Sequence, residues 1–209
     1  MAQRGRGAAL LPSLAVTRIL VVRHGQSEWN ADGRWQGQEN PPLTELGRRQ
    51  AQHAAHAVGA VDAIYASPLD RAATTAMIVS ESVGVGPVVL LEGLMERHAG
   101  EWQGLTREQI EQAWPGYLDA GRRPPAWEDD DLVESRVMAA LDSIAEAHPG
   151  AHVLAVAHAG VIFAIERALG AEWERLANLG GRWLERDGDT WRIGERVHLL
   201  IEETIPDQI

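Results

Sequence analysis

The chain contains no cysteine and no lysine. The absence of cysteine excludes disulfides, thiol nucleophiles and thiolate metal sites, and leaves the redox compartment undetermined. The absence of lysine means that all 19 basic residues are arginines. Arginine's planar fork suits bidentate recognition of phosphate or carboxylate, although codon bias in a GC-rich genome would also fill a surface with arginine. Positive charge is scarce overall: 30 acidic residues bring the formal net charge to −11, which repels a polynucleotide backbone, so no nucleic-acid partner is expected. No apolar run approaches the roughly 20 residues needed to cross a bilayer, so no membrane span is expected either. Phenylalanine and tyrosine are also rare, one and two, against eight tryptophans.

What remains suits one sizeable globular core: 209 residues, 45% of them hydrophobic. The opening MAQRGRGAALLPSLAV has two early arginines and a short apolar stretch interrupted by Pro12. It reads as a flexible leader over 1–17 rather than a signal peptide, with a single domain over 18–209. Apolar runs predict strands at 18–23, VDAIYAS, PVVLLEG and AHVLAVAH. Helices are predicted after Thr44 as N-cap, over LDRAATTAMIVSESVG to Gly84, from the Thr106/Gln109 capping box to about Trp114, over 131–147, and over GVIFAIERALG. DGRWQGQENPP reads as a polar loop, and RWLERDGDTWRIG as a hairpin turning at Asp187-Gly188. Alternating strands and helices predict an α/β fold, a three-layer α/β/α sandwich with a mostly parallel central sheet and an antiparallel C-terminal hairpin.

Two of the predicted strands end alike. RILVV runs into Arg23-His24-Gly25, and VLAVA runs into His158-Ala159-Gly160 before a helix. Ligands bind beyond the carboxyl ends of strands in open parallel sheets, so both histidines are expected at the ligand edge. A third strand, AIYAS, leads into Ser67-Pro68-Leu69-Asp70-Arg71. A lone histidine at a strand end is more often structural. Two histidines and two arginines at equivalent strand ends form a constellation.

RHGQSEWN, ENPPLTELGRRQA, SPLDRAATTA, LMERHAGEWQG and VLAVAHAG stand in the order of the motifs of the histidine phosphatase superfamily, the phosphoglycerate mutase-like proteins, which this chain resembles from about Arg18 to His198. The resemblance implies that His24 is the nucleophile that carries a phosphoryl group. It further implies that Arg23, Arg71 and His158 complete the phosphate pocket, with Glu96 as proton donor. Asn30, Arg97, Gly25 and Ala159 are the substrate-binding candidates. These roles are chemically coherent. Two guanidiniums can bind the oxygens of a phosphomonoester bidentately, and cations near His24 disfavour imidazolium, leaving a nitrogen free to attack. A carboxylic acid protonates the departing alkoxide and then serves as base toward water. Neither metal nor cofactor is expected.

The phosphatase branch is favoured, acting on a small phosphorylated metabolite. Mutases usually carry tyrosine at the position of Ala99 and lysine at that of Arg107, and a Gly-Asn-Ser where this chain has Ala159-Gly160-Val161. A cofactor-dependent phosphoglycerate mutase is the alternative, and a non-catalytic phospholigand-binding domain a third reading. Arg97, Arg107, Arg122 and Arg123 are candidates for a second anionic group on the substrate. Glu92 and Glu101 compete with Glu96. Glu134-Ser135 resembles part of a Gly-Glu-Ser motif of family phosphatases, out of place directly before Arg136, and is given no role. His53 and His56, three apart on a predicted helix, are read as surface residues rather than metal ligands. Trp29, Trp35 and Trp102 are expected to wall the pocket, with Trp114, Trp127, Trp173, Trp183 and Trp191 in the core or rim. The location expected is cytoplasmic, and the assembly allowed for is a homodimer.

Overall fold

Strand β1, Thr17–Arg23, owes its central position to a continuous apolar run: Ile19 and Val21 are buried on one face, Leu20 and Val22 on the other. A strand apolar on both sides must be covered on both sides. The computed structural model describes residues 16–200, and in it helices α2 (Glu45–Ala57) and α3 (Asp70–Val83) cover the Leu20/Val22 face through residues such as Ala54, Ala72, Ala76 and Val79. Helices α5 (Asp130–Ala147) and α6 (Ala159–Ala168) cover the other through Val137, Leu141, Ile144, Ile162 and Ile165. Each such large aliphatic side chain, fully buried, contributes about 1.5–3 kcal/mol of transfer free energy. The expected three layers are present.

The sheet has six strands in the order β3-β2-β4-β1-β5-β6. β2 (Ala63–Ala66), β3 (Val89–Leu90) and β4 (His152–Ala157) run parallel with β1, while β5 (Gly180–Asp187) and β6 (Thr190–His198) form the antiparallel hairpin at one edge. Register matters most between β1 and β4: Arg23 lies opposite Ala157, and the ladder continues as His24 N–H donates to the Ala157 carbonyl (3.0 Å). The next residues, His24 and His158, are therefore delivered side by side.

Some local expectations shift. The stretch before the polar loop contains a short helix, α1 (Glu28–Ala31), closed by a Ser27/Asn30 capping box. Only Val89 and Leu90 of PVVLLEG pair as a strand. The hairpin loop is Gly188-Asp189, because Asp187 still pairs with Thr190, and Gly188 supplies the positive φ. Helix α4 (Arg107–Ala113) has the predicted capping box on Thr106. Of the expected leader, residues 1–15 lie outside the described residues, and Thr17 already begins β1. Among the described residues, no helix is long and apolar enough to cross a membrane.

Candidate active site

At the carboxyl ends of β1, β2 and β4 lies a cavity of about 470 Å³ whose lining includes Arg23, His24, Asn30, Arg71, Glu96, Arg97 and Ala159. The sheet positions the histidines, and the first turn of α3 brings in Arg71, which is fully buried. Arg71 Nη1 donates to the Glu39 carbonyl (2.7 Å) and Nη2 to that of Gly37 (2.8 Å), so the preceding loop holds its guanidinium flat across the floor.

The protonation of His24 follows from its two contacts. Arg71 Nε donates to His24 Nε2 (3.2 Å), and a guanidinium has no acceptor, so Nε2 carries the lone pair. The proton is on Nδ1, which donates to the Gly25 carbonyl (2.6 Å). Burial first, then the charges of Arg71 and Arg23, push the His24 pKa well below the usual histidine value, against a smaller opposing pull from the Gly25 carbonyl. Near neutral pH the ring is uncharged, with its lone pair directed at a cation.

His158 lies edge-on to His24, ring centroids 5.1 Å apart at 64°. Its Nε2 meets Ser67 Oγ (2.8 Å), and Ser67 Oγ also accepts the Leu69 N–H (3.3 Å). Nδ1 is a buried ring nitrogen with no hydrogen-bond partner among the described residues. Its pKa is also pushed well down, by burial and then by Arg71, His24, Arg23 and Arg136. Burial lowers Arg23 and Arg71 each to about 10, with Glu96 opposing, and both remain cations near neutral pH. Arg23 Nη1 donates to the Leu176 carbonyl (2.8 Å).

Glu96 sits at the N-terminus of α6. Its Oε2 accepts the Gly160 N–H (3.1 Å) and its Oε1 the Arg97 N–H (2.7 Å). A Cβ on Gly160 would collide with Glu96 Oε1, so glycine here is what lets the carboxylate reach the helix end. The competitors Glu92 and Glu101 are exposed and off the cavity wall.

Other expectations fare differently. Asn30 lines the cavity with its Oδ1 directed back at the Ser27 N–H (3.2 Å), which leaves its amide nitrogen for a ligand. Ala159 is on the wall. Gly25 is not: it lies behind the site, its N–H on Thr75 Oγ1 (3.1 Å), with no room for a side chain against the Gly47 carbonyl. Arg97 lines the cavity, but its Nη1 is tied to Asp130 (2.6 Å) and to the Glu128 carbonyl (2.7 Å). Arg123 is also on the wall, stacked 4.9 Å from Trp127, whereas Arg107 pairs with Asp119 and Arg122 lies over Tyr117, both off the wall. Glu134 is engaged with Arg167 (2.9 Å). Trp29 and Trp35 line the cavity as expected, but Trp102 is fully buried and Trp127 and Trp173 take wall positions. The reason is an edge-to-face cluster of Trp35, Trp102, Trp114 and Trp127, in which Trp102 is the centre. His53 and His56 are exposed on α2.

Asn178 carried no signal in the sequence. It is almost completely buried, and its Nδ2 donates to the His24 carbonyl (2.9 Å) and approaches Asn30 Oδ1 (3.4 Å). Neighbouring Leu179 has φ +54 and donates its N–H to the Arg23 carbonyl (3.0 Å), a left-handed conformation that a branched side chain adopts only when its surroundings enforce it. The loop carrying both is tied down by Arg196, which donates to the Arg175 and Glu174 carbonyls and pairs with buried Glu166 (2.7 Å).

A buried pair of neutral histidines flanked by two arginines, with a carboxylate across the cavity, defines a phosphoryl-handling α/β protein. A family model described as histidine phosphatase superfamily (branch 1) matches residues 19–196, and the chain belongs to that superfamily. It is 37% identical over 160 residues to the metal-independent phosphoserine phosphatase of Arabidopsis thaliana, covering 72% of this chain and 67% of that protein. It is 37% identical over 193 residues to glucosyl-3-phosphoglycerate phosphatase of Mycobacterium tuberculosis, covering 82% and 85%. The solved structure of a mycobacterial glucosyl-3-phosphoglycerate phosphatase with VO3 superposes with a TM-score of 0.77 at 31% identity, over 84% of this chain and 96% of that one.

Proposed function

We propose that the chain is a metal-independent phosphomonoesterase that hydrolyses a small phosphorylated metabolite through a phosphohistidine on His24. The observation that carries this reading is the orientation of His24: a neutral ring, its Nε2 lone pair facing the Arg71 guanidinium at the cavity floor. A phosphate oxygen entering there competes for the Arg71 donor and frees the lone pair. Arg23 and Arg71 then hold the equatorial oxygens, where charge accumulates in the transition state, while His158, fully buried and off the cavity wall, packs edge-on against His24.

The bookkeeping closes over two steps. Nε2 bonds to phosphorus as the ester oxygen leaves, and protonated Glu96 transfers its proton to that oxygen. The ring, still holding its Nδ1 proton against the Gly25 carbonyl, is then a cationic phosphoimidazole and a good leaving group. Glu96, now a carboxylate, takes a proton from water as the water oxygen bonds to phosphorus, and release of phosphate restores neutral His24 and protonated Glu96. The guanidiniums of Arg23 and Arg71 supply the charge that a metal supplies elsewhere. Among the described residues no group of three or more His, Asp or Glu could hold an ion.

Hydrolysis rather than mutase chemistry is supported by the names of the relatives and by the wall itself. Ala99, Ala159 and Gly160 line it without polar side chains, Val161 is buried in the core, and the wall residue Arg97 is tied to Asp130 and the Glu128 carbonyl, which favours release over holding a phosphorylated acid in two orientations. A phosphomonoester's charge keeps it from crossing a bilayer unaided, which supports a cytoplasmic site of action.

The direct test is trapping. Brief incubation with 32P-labelled ester and denaturation in base should leave an acid-labile, base-stable label on His24, absent from His24→Ala. Phosphate release should survive EDTA. An unlabelled enzyme that still releases phosphate, or turnover abolished by EDTA and restored by a divalent ion, would overturn the reading.

A further inference from the structure

The segment carrying Glu96 is held by a side chain far away in sequence. Residues 96–98 belong to no helix or strand, so their polar backbone groups need partners from elsewhere. Arg136, on α5, makes five hydrogen bonds at and just before this stretch, three to backbone carbonyls and two to a carboxylate. Nη1 donates to the Met95 carbonyl (2.7 Å) and the Gly93 carbonyl (3.0 Å), and Nη2 to the Glu96 carbonyl (3.2 Å). Nε and Nη2 grip the two carboxylate oxygens of Glu128 (2.7 and 3.0 Å). Glu128 holds the far side of the same segment. Its Oε2 accepts the His98 N–H (2.9 Å), its own N–H donates to the His98 carbonyl (3.0 Å), and its carbonyl accepts Arg97 Nη1 (2.7 Å). Burial works against the Glu128 charge, but the Arg136 and His98 hydrogen bonds and the nearby arginines outweigh it and hold its pKa below the usual carboxylate value.

We infer that Arg136 and Glu128 form a positioning pair that sets the Glu96 carboxylate for proton transfer to the leaving group. The inference rests on the reading of Glu96 as the general acid. A partly buried ion pair costs desolvation that apolar packing of similar volume avoids, so stability alone is a weak reason for it. What apolar side chains cannot do is fix the carbonyls of Gly93, Met95 and Glu96, which lead into the irregular segment. Freed from them, the segment can rotate the Glu96 carboxylate away from Gly160 N–H without losing its hydrophobic contacts. Neither residue lines the cavity, so both act through Glu96.

The test uses leaving-group dependence, which a scaffold defect does not change. kcat/KM reports the steps through formation of phosphohistidine, and 4-nitrophenyl, phenyl and benzyl phosphate demand increasing help from an acid. Arg136→Gln should lower kcat/KM for benzyl phosphate by about tenfold or more, within the range of general acid catalysis, and for 4-nitrophenyl phosphate by less than about threefold. Arg136→Lys, which keeps the charge and some of the donors, should recover part of the loss, and Glu128→Gln should give the same pattern at nearly unchanged size. Glu96→Gln is the control and should steepen the dependence most. Equal losses on all three esters for both Arg136→Gln and Glu128→Gln, or no loss on benzyl phosphate, would overturn the positioning role. If Glu96→Gln itself affects the three esters equally, the general-acid reading falls and the positioning role with it.

Discussion

The two halves of the site are built by different means. The half that carries His24, Arg23 and His158 is an outgrowth of the sheet: adjacent parallel strands end in register and leave their next residues side by side. The half that carries Glu96 has no such frame. It is a stretch between two single-turn 3-10 segments, Glu92–Leu94 and Gly100–Trp102, fixed by side chains from α5 and by the N-terminus of α6. Backbone geometry places His24, the proposed nucleophile, while side-chain contacts place Glu96, the proposed acid. The first is hard to perturb without unfolding the core, and the second can be loosened by one substitution.

The largest effect is expected in the sheet-built half. Arg71→Lys keeps a charge but loses the fork that joins His24, Gly37 and Glu39. kcat/KM should fall about 10²–10³-fold, the scale of losing a preorganised transition-state donor. The loss should be equal for aryl and benzyl phosphates, since the phosphoryl group is common to both, and a loss confined to benzyl phosphate would contradict this division of labour. A smaller, selective effect is expected in the other half. Gly160→Ala drives a methyl group into Glu96 Oε1, and benzyl phosphate should lose about ten- to a hundredfold in kcat/KM while 4-nitrophenyl phosphate is nearly spared. An unchanged ratio between the two esters would sever Gly160 from Glu96.

The smallest effect is on stability and singles out the sheet-built half again. His24 and His158 stay neutral in the folded chain because their pKa values are depressed, whereas in the unfolded chain they take up protons near the usual value of about 6.5. Below that pH the unfolded chain binds more protons, so stability present above it is lost as pH falls, by up to about 1.4 kcal/mol per pH unit for each histidine. Urea midpoints between about pH 7.5 and about pH 5 should drop, and less steeply in His158→Asn. An identical slope in that variant would remove His158 from the account.

Much of the nucleophile half was legible before folding, because a strand that is apolar on both faces and ends in a cation and an imidazole has few structural explanations. The acid half was legible only as far as Glu96. Glu134-Ser135 resembles a displaced motif, yet Glu134 faces Arg167, and the carboxylate bonded to the segment after Glu96 is Glu128, one residue before Asp129, the N-cap of α5. Trp102 was expected on the pocket wall and Trp127 in the core or rim, yet Trp102 is the buried centre and Trp127 lines the cavity, because sequence proximity to a motif says nothing about which indole of a cluster becomes its centre. Gly25 was assigned to the ligand on its adjacency to His24, but strand-end geometry turns it toward α2.

By itself the sequence determined what short-range periodicity determines. This covers which segments are strands buried on both faces, where helices begin, the order of layers, and the placing of Arg23, His24, Arg71 and His158 at strand or helix ends that a parallel sheet collects on one edge. Only the tertiary structure decided which nitrogen of His24 bears the lone pair, that Gly160 admits Glu96 to a helix end, that Asn178 bonds the His24 carbonyl from a loop tied down by Arg196, and that Arg136 and Glu128 bond the segment around Glu96. Those contacts join residues tens to more than a hundred positions apart. Spacing along the chain cannot encode them, because they exist only where independently formed elements cross and must satisfy one another's buried polar groups.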